Sequence, residues 1–236
     1  RTRWVPRSMG ARHLGTSGMS TVGMARAERT SLCDLLDEVG PEAPTLCGGW
    51  TTGLLAAHLL VRERRPDIGP GLVLGGVTAR WTNRVTARTA ERLPFEKLVK
   101  RLRSGPPKWL QRVDGPMNLI EFFVHHEDVR RAVHGWTPRN GTETLQDALW
   151  PYQQRRIRLQ TRALRDLELA IARPDGVPFL VHSRREVIGG KSPAVLVTGE
   201  PGELALYFFG RRDHALVELT GDPDGVASVR SAPIGL

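Results

Sequence analysis

Two segments of this 236-residue chain carry residue types that do chemistry, at spacings that bring them together. In NLIEFFVHHEDVRRA, Glu121 and His125 are four residues apart, which on a helix stacks them on one face. Val129 and Ala132 continue that face and Phe122 borders it, so a carboxylate and an imidazole look toward the core. In LLAAHLLVRERR, His58 lies on the side of Leu54, Leu55 and Val61. Buried ionisable groups are costly unless they are paired, hydrogen-bonded or bound to a metal. Two nitrogens and one oxygen converging in a helical core suit Zn²⁺ or another divalent ion with a fourth position open, the arrangement of catalytic rather than structural zinc. A hydrogen-bonded core cluster without metal is the plainer alternative for the same pattern.

The neighbours of these residues divide by angle around the helix. Glu127, Arg130 and Arg131 point the opposite way and are expected on a solvated face. His126 is turned about 100° from His125, which suits helix packing rather than the same approach to an ion. Asp128 and Arg62 are expected behind the ligands, because a metal-bound histidine commonly donates its other N–H to a carboxylate or carbonyl. Glu63 and Arg64 fall away from the His58 side.

Helices must position this set. Apolar residues at helical spacing run from Ala25 to Val39 and stop at Gly40-Pro41. Thr51 or Thr52 can cap the His58 helix, which Pro66 closes. A third helical stretch spans about 77–93, and Pro94 opens a short amphipathic one ended by Gly105-Pro106-Pro107. Pro116 opens the Glu121 helix, with Gly135 as its stop, and a further run covers about 142–167. Beyond Asp166, LELAIA, PFLVHS, REVIGG, AVLVTG, ELALYFF, ALVELTG and GVASVR read as short strands between Gly, Pro and Asp turns. The expected class is α+β, a helical bundle followed by a small mixed domain.

Hydrophobic residues at 40% and charged residues at 25% exclude a disordered or collagenous chain. No window approaches the ~18 uncharged apolar residues of a membrane span. The formal net charge is +9, yet residues 1–23 hold four arginines and no acid, leaving +5 for the rest. That stretch has no apolar segment of a secretory signal and is expected to be a disordered leader, or an extension before a start at Met19 or Met24. Arg80, Arg84, Arg88 and Arg92 form a stripe that Lys97, Lys100, Arg101, Arg103, Lys108 and Arg112 extend. Only Trp81 and Trp109 accompany it, so a solvated cationic face is expected and not a nucleic-acid surface. Two cysteines, Cys33 and Cys47, are too few for a disulfide framework, which makes a reducing cytoplasm the default. Each is expected to pack as a small apolar residue.

LCGGWTTGLLAAHLLVRERRP followed by NLIEFFVHHEDVRRA resembles the DinB-like, mycothiol-dependent maleylpyruvate isomerase family, and within it a metal-binding branch. The resemblance covers residues 24–165, and less distinctly 166–236, which is similar to the family's small sterol-carrier-like α+β domain. It implies a DinB-like four-helix bundle with His58, Glu121 and His125 as ligands of a divalent metal, usually zinc. It implies also a low-molecular-weight thiol such as mycothiol as cosubstrate. A metal with an open position stabilises such a thiol as the thiolate, a nucleophile for S-transfer or for adding to a conjugated double bond so that it can rotate. The implied activity is that of a thiol-dependent transferase or isomerase acting on a small electrophilic or acidic substrate. The alternative is a non-catalytic metal-binding bundle with a sensing or stress role. A monomer or homodimer fits either. Cys47 is not expected to be the nucleophile, since the external thiol supplies sulfur.

The family is thought to bring an arginine from the small domain to the metal, and FFGRR resembles that segment. Gly210 permits a sharp turn that would aim Arg211 away from the element before it. Arg211 is thus the candidate catalytic arginine, able to hold an acidic substrate by its planar fork, with Arg212 as its competitor.

Overall fold

The computed structural model describes residues 20–64, 77–107, 116–140, 142–183, 186–187, 190–191 and 194–234. Among the described residues six helices come first: α1 (Thr21–Val39), α2 (Thr52–Arg64), α3 (Val77–Arg92), α4 (Phe95–Arg103), α5 (Pro116–Arg130) and α6 (Glu143–Gln160). Of the expected leader, residues 1–19 lie outside the described residues. Ser20 caps α1, its hydroxyl accepting from the Gly23 amide at 3.2 Å.

Six strands and two helices follow: β1 (Glu168–Ala172), β2 (Phe179–His182), β3 (Glu186–Val187), β4 (Gly190–Lys191), β5 (Ala194–Thr198), α7 (Pro201–Phe208), β6 (Glu218–Gly221) and α8 (Pro223–Ser231). The main sheet has the order β2-β1-β5-β6. β1 runs parallel to β5 and antiparallel to β2, and β5 runs antiparallel to β6. The α+β class is as the sequence indicates.

Two segments read as strands are helices. ELALYFF belongs to α7, which has Pro201 in its first turn followed by Glu203, a start that fixes φ and places an acid near the positive end of the helix dipole. Its sequence contains no β-branched residue, and Leu204, Ala205 and Leu206 favour helix. Every residue of α7 is buried, so no helical alternation of polar and apolar residues marks it. GVASVR lies in α8, which Asp222 caps through the Asp224 and Gly225 amides, with Pro223 next.

Three apolar clusters hold the chain together. Leu32, Leu36, Leu55, Leu59, Leu98, Leu102 and Phe122 join α1, α2, α4 and α5. Leu169, Ile171, Val195, Val197, Leu204, Phe208 and Val229 fill the space between sheet, α7 and α8. Between them lies a third cluster, in which Leu119, Ile120, Phe123 and Val124 of α5 meet Leu149 of α6 and Leu206 and Phe209 of the α7 end. Helix α5 is therefore covered on both sides, by α1 and α2 on one and by the C-terminal half on the other.

That second covering overturns the solvated face expected of α5. Glu127 and Arg131 are buried, not exposed. Arg131 donates to Glu127 and pairs through both terminal nitrogens with Glu203 of α7, at 2.9 and 2.6 Å. Glu63 of α2 is buried too, paired with Arg29 of α1. The basic stripe behaves as a solvated face: Arg84, Arg88, Arg92, Lys97, Lys100 and Arg101 are exposed, and Arg103 pairs with Asp34 and Asp37. The side chain of Arg80, with Lys108 and Arg112, lies outside the described residues. Among the described residues no helix is long and apolar enough to cross a membrane.

Candidate metal and thiol site

The loop from Gly40 to Thr51 presents the first residues of the site. The Leu46 amide donates to the Asp128 carbonyl at 3.0 Å, pinning the loop to the end of α5. Gly48 and Gly49 both have positive φ (51° and 84°), so the chain reverses there at little steric cost. The reversal turns the Cys47 sulfur back toward α5 and sets the Trp50 ring 5.0 Å from the His58 ring.

His58 and His125 meet edge to face with ring centroids 5.7 Å apart, and His125 Nε2 lies 3.7 Å from Glu121 Oε2. Ligand atoms bound tetrahedrally at about 2.0–2.2 Å to one ion stand about 3.3–3.6 Å from each other, so this spacing fits a shared cation. All three residues are buried. His58 Nδ1 is buried without a hydrogen-bond partner. An unpartnered imidazole nitrogen, a second histidine and a carboxylate are donor types that a divalent ion takes.

Asp128 lies behind His125, its carboxylate 2.9 Å from Nδ1, which leaves Nε2 facing Glu121. The same carboxylate accepts from Cys47 Sγ at 2.9 Å and from Nε and Nη2 of Arg211, each at 2.7 Å. Arg211 Nη2 is also 3.3 Å from the Cys47 sulfur, and Nη1 donates to the Phe209 carbonyl at 2.6 Å. Gly210, at φ 88°, makes the turn that swings Arg211 here from the end of α7. Arg212 turns away, donating to the Arg230 and Ala232 carbonyls.

Cys47, His125 and Asp128 also offer donor atoms within 4.8 Å of one another, a group that could itself hold a metal. The Arg211 guanidinium already occupies both oxygens of that carboxylate and touches the sulfur. A divalent ion there would have to displace a fixed positive charge. Glu121 on the other side of His125 is faced by guanidiniums as well, those of Arg156 and Arg62, so His125 stands between two candidate cation positions.

Charge around the site is uneven. Glu121 faces Arg156 of α6, whose Nη2 is 3.2 Å from Oε1, and Arg62 of α2, whose Nε is 3.7 Å from Oε2. Burial would raise the Glu121 pKa, but these two guanidiniums outweigh it and hold the carboxyl below its usual range. Asp128 is held low in the same way, burial being overcome by His125 and Arg211. Burial, with His125 nearby, pulls His58 down to about 3, whereas the Asp128 carboxylate overcomes burial at His125 and pushes it up to about 10. Burial lowers the Arg156 pKa, Glu121 opposing it only in part.

Of the residues expected from the sequence, His58, Glu121, His125, Asp128, Arg62 and Arg211 thus lie around one place. His126 packs between helices, with Nδ1 2.9 Å from Glu28. Cys33 is a buried apolar residue whose thiol burial pushes up to about 12. Two residues were not anticipated. Cys47 was read as packing, yet its sulfur touches His125, Asp128 and Arg211. Arg156 sits in the run QQRRIRLQ and looks like one more surface cation. Its signal is faint: it lies three residues beyond Gln153 and seven beyond Leu149, both buried, on one helical stripe.

No family profile and no curated protein matches the sequence. Among solved structures, the chain is similar to the crystal structure of the mycothiol-dependent maleylpyruvate isomerase, with a TM-score of 0.56 and 16% identity over 85% of this chain and 91% of that one. A histidine-to-alanine mutant of the same enzyme gives a TM-score of 0.54, 16% identity, and coverage of 84% and 91%. The chain has the fold of the mycothiol-dependent maleylpyruvate isomerase.

Proposed function

We propose that this protein binds a divalent metal, zinc by the donor set, through His58, Glu121 and His125. On that centre it acts as a mycothiol-dependent transferase or isomerase. The single observation that carries the reading is an unpartnered His58 Nδ1 on a ring 5.7 Å from that of His125, whose Nε2 is held toward Glu121 by Asp128. In this reading residues 24–165 are a DinB-like four-helix bundle and 166–236 a small sterol-carrier-like domain. The free Cys33 and Cys47 accord with the reducing cytoplasm.

A bound divalent ion with an open position supplies one chemistry here, holding a small thiol as thiolate at neutral pH. The remaining work falls to the chain. Asp128 fixes the tautomer and direction of His125. Arg211, engaged by Asp128, Cys47 and the Phe209 carbonyl, holds that carboxylate in place and lends positive charge to the site. Its proposed part toward an acidic substrate uses the N–H of Nη1 that Phe209 leaves over. Trp50 covers part of the His58 ring.

The test is to titrate the metal-free protein with zinc and then with mycothiol, counting metal per chain. One equivalent of zinc is expected, lost on replacing His58, Glu121 or His125 by Ala, with mycothiol binding only the loaded protein. Absence of zinc binding, or zinc binding that is indifferent to those three residues, overturns the metal reading. Zinc binding without mycothiol binding overturns the thiol reading.

A further inference from the structure

Two carboxylates, Glu121 and Asp128, face three guanidiniums, those of Arg62, Arg156 and Arg211. The three cations are not equally committed. Arg211 spends both faces of its fork on Asp128 and the Phe209 carbonyl. Arg62 Nη1 donates to Asn118 Oδ1 at 2.6 Å. Arg156 has one ionic contact, at 3.2 Å to Glu121 Oε1, and its Nε is buried with no partner. Its guanidinium lies over the Phe209 ring, 4.2 Å from the centroid. The ring holds the guanidinium carbon in place and Nε is buried, which leaves the two terminal nitrogens to take a carboxylate with charge-assisted hydrogen bonds.

Among the described residues the one carboxylate paired with Arg156, that of Glu121, is also a proposed ligand. When Glu121 gives charge to an ion through Oε2, the oxygen nearer His125, Arg156 keeps its place on Phe209 and its contact with Oε1 but shares that counter-charge with the ion. An under-compensated guanidinium beside a metal position is a receptor for an anion. We propose that Arg156 is a substrate-carboxylate receiver coupled to the metal, paired with Glu121 in the empty site and left short of counter-charge for an incoming carboxylate when Glu121 becomes a ligand. The proposal rests on the metal reading above. Metal and anion must then assist each other by one and the same factor.

The probe is succinate, a dicarboxylate with no electrophilic carbon, titrated calorimetrically into full-length metal-free protein and into zinc-loaded protein freed of unbound zinc. Succinate is expected to bind at least about tenfold tighter to the loaded form, since its charge-assisted hydrogen bonds go to a guanidinium left short of counter-charge. Zinc should bind tighter in succinate by the same factor. Arg156→Gln should abolish that coupling while zinc affinity without succinate stays equal or rises, because a competitor for Glu121 is gone. A residue that merely supports the fold would lose zinc and succinate together, and this result overturns the proposal. A carboxylate held by zinc alone would leave the coupling intact in R156Q, which overturns it equally. Arg156→Lys keeps charge and bulk and carries the test if R156Q does not fold; a severalfold loss of succinate affinity is expected, and none overturns the assignment. If wild-type protein binds no zinc, the metal reading fails and the proposal with it; if zinc binds and succinate does not, the proposal alone fails.

Discussion

Loading the site with zinc at pH 6.0 should release one proton, and the structure says from where. Burial pulls His58 down to about 3, so it is already neutral at that pH. Glu121 is held below its usual range and is already ionised. His125, pushed up to about 10, carries a proton on each ring nitrogen. To ligate through Nε2 it must lose that proton while Nδ1–H stays on Asp128. Four units below its pKa, His125 is charged in essentially every molecule, so the count is one and not a fraction. The choice of pH 6.0 keeps a zinc-bound water, whose pKa is about 7, mostly unionised. The sign follows: apparent zinc affinity rises with pH, about tenfold or 1.4 kcal/mol per unit, from roughly pH 5 to about 7, above which ionisation of the bound water adds to the slope. Asp128→Asn removes the charge that overcomes burial at His125, so the ring becomes neutral, the proton count falls toward zero and the pH slope disappears. The assay is calorimetry in buffers of different ionisation enthalpy, the slope of observed against buffer enthalpy being the proton count. A wild-type slope near zero with zinc bound, or the same slope in D128N, refutes the reasoning. A slope near two means that His58 is charged as well and that its burial is misjudged.

Glu203→Gln strips one of two counter-charges from buried Arg131, which keeps Glu127 and the His214 carbonyl. A loss of about 1.5–3 kcal/mol is expected in urea unfolding, and a change under about 0.5 kcal/mol would show the pair to be dispensable. Gly202→Ala sets a methyl against the Phe123 ring and within 3.2 Å of Gln146 Oε1, the acceptor of the Gly202 amide. It should cost about 1–3 kcal/mol by overpacking at the α5–α6–α7 junction, read as a lowered thermal midpoint.

The proposed ligands could be picked out because helical period alone decides which side chains share a face, and Glu121, His125 and Val129 obey it. What period cannot show is what covers the opposite face. Glu127 and Arg131 look solvated because they oppose the apolar stripe, yet α7 brings Glu203 to Arg131 across 72 residues of sequence. Helix α7 was hidden for the converse reason. Buried all round, it has no polar face to reveal its period, and only the absence of β-branched residues and the Pro201 start argue against a strand.

The same limit explains Cys47 and Arg156. Cys47 meets Asp128 and Arg211, which are 81 and 164 residues distant. A thiol's chemistry is set by such partners and not by its own flanking residues. Arg156 depends on Phe209, and Phe209 serves two guanidiniums at once: its ring carries Arg156 and its carbonyl accepts from Arg211. One residue after the α7 helix therefore fixes a cation on each side of His125, one against Glu121 and one against Asp128. The N-terminal helices supply the three donor groups by period. The C-terminal segment supplies the charge that surrounds them, and its placement is a tertiary fact that no local pattern in the first 165 residues encodes.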